Sequence, residues 1–272
     1  MKTSLKYREA IIDSRRIVIK IGSRVLCQKS GKPNMKTLRR LTDEIASIQN
    51  SGREVILVSS GAVGTGMEAL NMKDRPETVP DLQMAASVGQ CQLISRYENL
   101  FGALGCKIGQ VLLTHEDFKH KIRLTNVRRT LENLMRNKVI PIINENDVVA
   151  DEELRAVASL GDNDYLASLV TKLVRADLLI MLSTVDGVRE TTDAGKTKRV
   201  RYIETVNRKI FALVSDSASS LSKGGMKSKL KSAQSVSKAG CLAVIADGRK
   251  KGVLPRIIEG KDVGTVILVS GT

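Results

Sequence analysis

The stretch ILVSSGAVGTGM, residues 56–67, opens as an apolar run and closes on glycines at 61, 64 and 66. An unbroken Ile-Leu-Val run reads as a strand covered on both faces, as in a parallel sheet, because a strand with one wet face would alternate. The glycines that follow read as a turn where the backbone comes close to a ligand, often a phosphate. Neither common phosphate fingerprint fits. A P-loop ends in Gly-Lys-Ser/Thr, whereas Gly66 is followed by Met67 and Glu68. The dinucleotide fingerprint needs G-x-G-x-x-G, and here the spacing is reversed.

Outward from that stretch the same pattern repeats. RIVIKIG (16–22), KIGQVLLT (107–114), KVIPIINE (138–145), DLLIMLS (177–183), CLAVIA (241–246) and TVILVS (265–270) are further strand candidates. Helical periodicity separates them. Residues 35–52 place Leu38, Leu41, Ile45 and Ile48 on one stripe and stop at Gly52; 81–105, 125–138, 163–176 and 225–240 have the same character. This alternation predicts an α/β fold, a three-layer sandwich with a central mainly parallel sheet. Two connections stand out as long: the polar segment 64–80, and 186–201, which reads as a hairpin or flexible excursion with a charged tip. Basic clusters concentrate after residue 176, which suggests one domain over 1–272 with lobes of approximately 14–175 and 176–272.

Composition narrows the function classes. The chain has 272 residues and a net charge of +15, which admits nucleic-acid binding, anionic small substrates or a plain solubility bias on solvated faces, and charge alone does not choose among them. The basic clusters at 196–201 and 248–252 lack any nucleic-acid-reading motif, and 3% aromatic content weakens readings that rest on base stacking. No apolar run approaches the roughly 18 residues of a membrane span. The charged start MKTSLKYREAIIDSRR has no signal-peptide core, so a cytoplasmic protein is expected. Cys27, Cys91, Cys106 and Cys241 are scattered, and His115 with His120 lacks a third ligand, so no metal-binding residues are expected.

Three further stretches carry chemistry. Lys20 interrupts the apolar run VIKIG, where its ammonium needs a partner or a ligand. Asn144, Glu145, Asn146 and Asp147 follow one strand, and Asp162, Asn163 and Asp164 open a helix; capping explains one such cluster more readily than two. In KGGMKSKLKSA (223–233), adjacent glycines read as a helix start with open backbone N–H groups, and Lys227 and Lys229 would sit in its first turn. Glycines and lysines at distant element ends suggest a phosphate chain. No general base is evident, and an acceptor already ionised at neutral pH, such as a carboxylate, needs none.

These residues resemble the glutamate 5-kinase family of the amino-acid kinase superfamily. The resemblance spans nearly the whole chain and rests on VIKIGS (18–23), VSSGAV (58–63), AASVGQ (85–90), QVLLT (110–114), PIINENDVV (141–149), GDND (161–164) and GGMKSKL (224–230). It implies the amino-acid kinase fold and ATP-dependent phosphorylation of the γ-carboxylate of L-glutamate, the first step of proline biosynthesis, with Mg²⁺ bridging phosphate oxygens. By the same resemblance, Ser60, Gly61, Asp147 and Asn163 would bind glutamate. Ser183 and Thr184 would lie beside the nucleotide. Lys223, Gly224, Gly225, Met226, Lys227, Ser228 and Lys229 would form the nucleotide loop. Lys20 and Lys229 would flank the phosphates, with Asp164 holding them. Family members are commonly homo-oligomers inhibited by proline. The chain departs from the family pattern at Ser222-Lys223, Thr184 and Arg24, and no RNA-binding-type PUA domain is expected. A silent amino-acid sensor and an RNA-binding protein on a kinase-like fold are the alternatives from other classes.

Overall fold

The computed structural model describes residues 3–28, 30–150, 162–192, 195–215 and 220–270. The strands are mainly parallel with helices around them, an α/β fold. The chain falls into two compact units, Ile21–Val157, and Met1–Lys20 with Ala158–Thr272. The sequence suggests a division near 176. By contact, the first strand and the helix Asp162–Leu173 group with the strands after 176.

The unit of residues 21–157 contains α2 (Ser23–Leu26), α3 (Met35–Asn50), β2 (Glu54–Val58), α4 (Ala62–Ala69), α5 (Val79–Gly102), β3 (Lys107–Leu113), α6 (His115–Lys119), α7 (Lys121–Arg136) and β4 (Val139–Glu145). Its strands run in the order β3-β4-β2, all parallel. α3 starts where the Asn34 side chain accepts from Thr37 N–H, and it buries the anticipated stripe of Leu38, Leu41, Ile45 and Ile48. It stops at Gly52, whose φ of +91° suits a residue without Cβ.

The segment read as a polar connection from 64 is, over Ala62–Ala69, the helix α4. Its glycines serve packing. A Cβ on Gly66 would lie 1.7 Å from Ala85 O, and one on Gly89 of α5 would lie 1.8 Å from Ala62 O. Gly64 would meet Gly31 O at 2.2 Å. The two helices therefore approach backbone to backbone, which only glycine permits. Of the three glycines after β2, Gly61 alone takes a turn conformation, with φ +105° at the N-cap of α4.

The other unit carries α1 (Thr3–Ile12), β1 (Arg16–Ile21, of which Ile21 falls to the first unit), α8 (Asp162–Leu173), β5 (Leu178–Ser183), β6 (Arg189–Thr191), β7 (Thr197–Arg199), β8 (Tyr202–Ile203), α9 (Arg208–Ser215), α10 (Ser220–Ser237), β9 (Leu242–Asp247), α11 (Val253–Ile258) and β10 (Thr265–Ile267). Strand order is β1-β5-β9-β10-β8. β5 and β9 are parallel over six residue pairs, while β10 runs antiparallel to β9. β6 and β7 form the hairpin anticipated within 186–201. β5 and β9 are buried almost throughout, which matches their unbroken apolar sequences. The N–H groups of Arg15 and Arg16 both donate to Asp177 Oδ2 at 2.8 Å, fixing the entry to β1 against that to β5.

Candidate active site

Three charged side chains remote in sequence meet within one unit. Lys20 Nζ lies 2.7 Å from Asp164 Oδ1, and Lys229 Nζ donates to Asp164 Oδ2 at 2.8 Å. Lys20 is 5% exposed, Asp164 1% and Lys229 8%. Each lysine takes one oxygen of the carboxylate, so one anion sits between two cations. Burial alone would raise the Asp164 carboxyl, but the charges and hydrogen bonds of Lys20 and Lys229 outweigh it and hold the group below the ordinary aspartate range. Within the triad two ammonium groups share one carboxylate, in a place where charge is costly.

The local sequence explains how each member arrives. Lys20 belongs to β1, whose neighbours Ile17, Val18, Ile19 and Ile21 are fully buried. Asp164 is the third residue of α8, so the acidic opening of that helix does more than cap it. Asn163 sits beside it, half-buried. Lys229 comes from α10, and its ammonium also reaches Gly225 O at 3.5 Å. Here the sequence expectation needs correction. α10 begins at Ser220, so Gly224 and Gly225 lie inside the helix rather than at its start, and Lys227 and Lys229 are beyond its first turn. Ser220–Lys223 extend the helix by a turn, so Lys229 lies in its interior, where Asp164 pairs with it. Met226 is half-buried and Lys227 exposed, while Ser228 Oγ is buried without a hydrogen-bond partner. The side chain of Lys223, residues 151–161 (which include Gly161 of GDND) and the tip residues 193–194 lie outside the described residues.

Ser183 ends β5 and Thr184 follows it, and the residues just after β9 grip them. Gly248 N–H donates to Ser183 O at 2.9 Å, and Arg249 Nη2 donates to Thr184 O at 2.6 Å. Arg249 is in turn held by Asp247, which accepts from its backbone N–H, Nε and Nη2 at 3.0, 2.9 and 2.9 Å. Burial would raise the Asp247 carboxyl, but those bonds keep it below its ordinary range. Sequence reasoning registered this stretch only as the basic cluster GRKKG. Because β5 and β9 are parallel, the clamp lies outside their C-terminal ends, where open α/β sheets hold ligands.

In the unit of residues 21–157, Ser60 and Gly61 follow β2 and Asp147 follows β4. These strands are also parallel, so the two turns share one edge. Ser59 Oγ and the buried Tyr97 hydroxyl lie 2.8 Å apart, and Ser59 N–H donates to Ile143 O. Ser60 is 9% exposed; Gly61 O accepts from both N–H and Oγ1 of Thr65 at 2.9 Å. Asn144 is buried, and Asp147 is half-buried. The Ser59–Tyr97 and Asn144–Gln90 bonds escaped sequence reasoning, although Gln90 ends the AASVGQ block. Among the described residues, no group of three or more His, Cys, Asp or Glu side chains could hold a metal ion.

Comparison with known proteins gives a consistent answer. Residues 15–247 match the model of the amino acid kinase family. A glutamate 5-kinase of Listeria monocytogenes serotype 4b is 41% identical over 261 residues, covering 95% of each chain. One from Enterococcus faecalis is 38% identical over 266 residues, 97% of this chain and 98% of that one. A carbamate kinase from Giardia lamblia bound to AMP-PNP shares the fold, with a TM-score of 0.64 at 15% identity over 94% of this chain and 99% of that one. N-acetylglutamate synthase from Neisseria gonorrhoeae does so with a TM-score of 0.67 at 15% identity, over 100% of this chain and 64% of that one. The chain belongs to the amino acid kinase family and, within it, to the glutamate 5-kinases.

Proposed function

We propose that this protein transfers the γ-phosphoryl group of ATP to the γ-carboxylate of L-glutamate, giving L-glutamyl 5-phosphate, the first step of proline biosynthesis. The observation that carries the reading is the buried Lys20–Asp164–Lys229 triad, with two cations on one carboxylate. Its two ammonium groups and the unpartnered Ser228 hydroxyl both fit a phosphate chain. Phosphoryl transfer is mainly a matter of positioning and electrostatics, because charge spreads over the transferred oxygens while the nucleophile and leaving group stay in line. Lys20 and Lys229 stabilise that charge, and Asp164 fixes where their ammonium groups point. A glutamate carboxylate oxygen forms the new bond to phosphorus, the bond from phosphorus to the bridging oxygen of ADP breaks, and no proton need move. Magnesium would accompany ATP and offset the charge of its phosphates, as suits an ion that prefers few protein ligands.

The remaining roles follow the family resemblance. Ser60, Gly61, Asp147 and Asn163 bind glutamate. Ser183, Thr184 and residues 223–229 hold the nucleotide, with Gly224 and Gly225 leaving room for its approach. The substrate lobe accordingly centres on the first part of the chain and the nucleotide lobe on the residues after 176. We read the protein as cytoplasmic, drawing on the cell's ATP and glutamate. Among the described residues, no helix is long and apolar enough to cross a membrane. A homo-oligomer is part of the reading, supported by β3, an edge strand whose Ile108, Val111 and Leu112 are only half-buried. Proline, which shares the α-carboxylate and α-nitrogen of glutamate, is the proposed feedback inhibitor.

A substrate panel tests the activity. ADP release with Mg²⁺ and ATP should require L-glutamate and should not be supported by aspartate, N-acetylglutamate or carbamate. Turnover with one of the latter, or none at all from a protein that binds ATP, would overturn the reading. Lys20→Met and Lys229→Met should each lower kcat by about 10²–10³.

A further inference from the structure

The AASVGQ block has so far explained only packing, through Ala85 and Gly89. Its last residue does something else. Gln90 Oε1 accepts from Asn144 Nδ2 at 2.8 Å, while Asn144 Oδ1 accepts from Glu145 N–H at 3.0 Å. The Asn144 carboxamide is thereby fixed in one orientation, with its oxygen and nitrogen each engaged. Seven residues earlier on α5, Gln83 Nε2 donates to Val148 O at 3.3 Å. Residues seven apart on a helix lie on one face, about 10 Å along its axis. One face of α5 therefore holds both ends of the turn 144–148, with Asp147 between the two anchors. Backbone bonds complete the hold, from Asn146 N–H to Leu113 O and from Val149 N–H to Asn146 O.

We propose that Gln90, seconded by Gln83, is a positioning residue for glutamate, acting through the 144–148 turn. This rests on the assignment of Asp147 to glutamate binding. What the turn needs from position 90 is an acceptor for Asn144 Nδ2. A side chain of equal length without one removes the bond that ties the Asn144 carboxamide to α5, and with it the link that fixes its orientation.

The test compares Gln90→Met, which keeps length and removes the acceptor, with Gln90→Glu, which restores an acceptor. Gln90→Met should raise KM for glutamate about tenfold. KM for ATP should stay within about twofold and the melting temperature near that of the parent. Gln90→Glu should recover most of the loss, and Gln83→Leu should give a smaller rise in the same constant. Asp147→Asn separates the proposal from its premise. If it raises KM for glutamate and Gln90→Met does not, the role of Gln90 is refuted while the site assignment stands. If neither variant changes KM for glutamate, the site assignment itself falls. A Gln90→Met effect shared equally by both substrates, or an equal loss in Gln90→Glu, would mark a merely structural residue and overturn the proposal.

Discussion

Replacing Asp164 by asparagine should damage the protein more than removing either of its lysines. The three groups are nearly fully buried, and the ammonium nitrogens lie 2.7 and 2.8 Å from the carboxylate oxygens. Loss of one lysine leaves a one-to-one ion pair, which remains balanced. Loss of the carboxylate's charge leaves two cations facing a neutral amide. Removing one partner from a buried charge cluster costs about 3–5 kcal/mol, a large part of the roughly 5–15 kcal/mol that holds a domain together. A chain of this size should then melt about 6–20 °C lower. A second substitution, Lys229→Met in the Asp164→Asn background, should recover much of that loss by removing the surplus cation, so the two changes should be strongly non-additive. The pH dependence has a defined sign. The folded-state pKa of Asp164 is depressed, so its contribution is fully present above the unfolded value and is lost as pH falls through the folded one. The gap between parent and variant should stay constant from neutrality to about pH 5 and close only in stronger acid. Thermal melts of the parent, both single variants and the double variant would decide. An Asp164→Asn protein as stable as its parent, or a double variant no more stable than Asp164→Asn alone, would refute the charge argument.

Other expectations follow from single contacts. Gly66→Ala must place a methyl group where Ala85 O already stands, so it should cost more than about 3 kcal/mol or prevent folding, as a denaturant melt would show. Gly225→Ala meets nothing within 4 Å inside α10 and should gain about 0.5–1 kcal/mol of stability, yet lose ATP affinity if a phosphate approaches there. Arg249→Ala releases the Thr184 carbonyl, so KM for ATP should rise severalfold while KM for glutamate holds, as initial-rate kinetics would reveal.

The sheet is legible because most of its strands, the edge strand β3 excepted, are buried on both faces and say so in near-continuous runs of Ile, Val and Leu. The seven long runs correspond to β1–β5, β9 and β10. α4 was not legible. GAVGTGM looks like a turn because glycine lowers helix propensity, but contact with Ala85 demands glycine at Gly66, and packing outweighs the local preference. The start of α10 was misplaced for a related reason: a Gly-Gly pair suggests a terminus, while Ser220–Lys223 can continue a helix when the rest of it is anchored. In the candidate site, Lys20 announced itself as a charge in an apolar run, and Asp164 as one acidic residue too many for a cap. Arg249 and Gln90 could not be read in this way. Both act through a single backbone or side-chain partner far away in sequence, and nothing in their own neighbourhoods is costly enough to demand an explanation.

The measurement that tests the central claim most directly is trapping of the acyl phosphate with hydroxylamine, using ATP, Mg²⁺ and L-glutamate with the parent protein, Lys20→Met and Lys229→Met. The parent should give a hydroxamate that depends on glutamate, and each variant should remain folded while forming it about 10²–10³-fold more slowly. Glutamyl hydroxamate formed at the parental rate by either folded variant would contradict the claim that this buried triad is where the phosphoryl group is transferred.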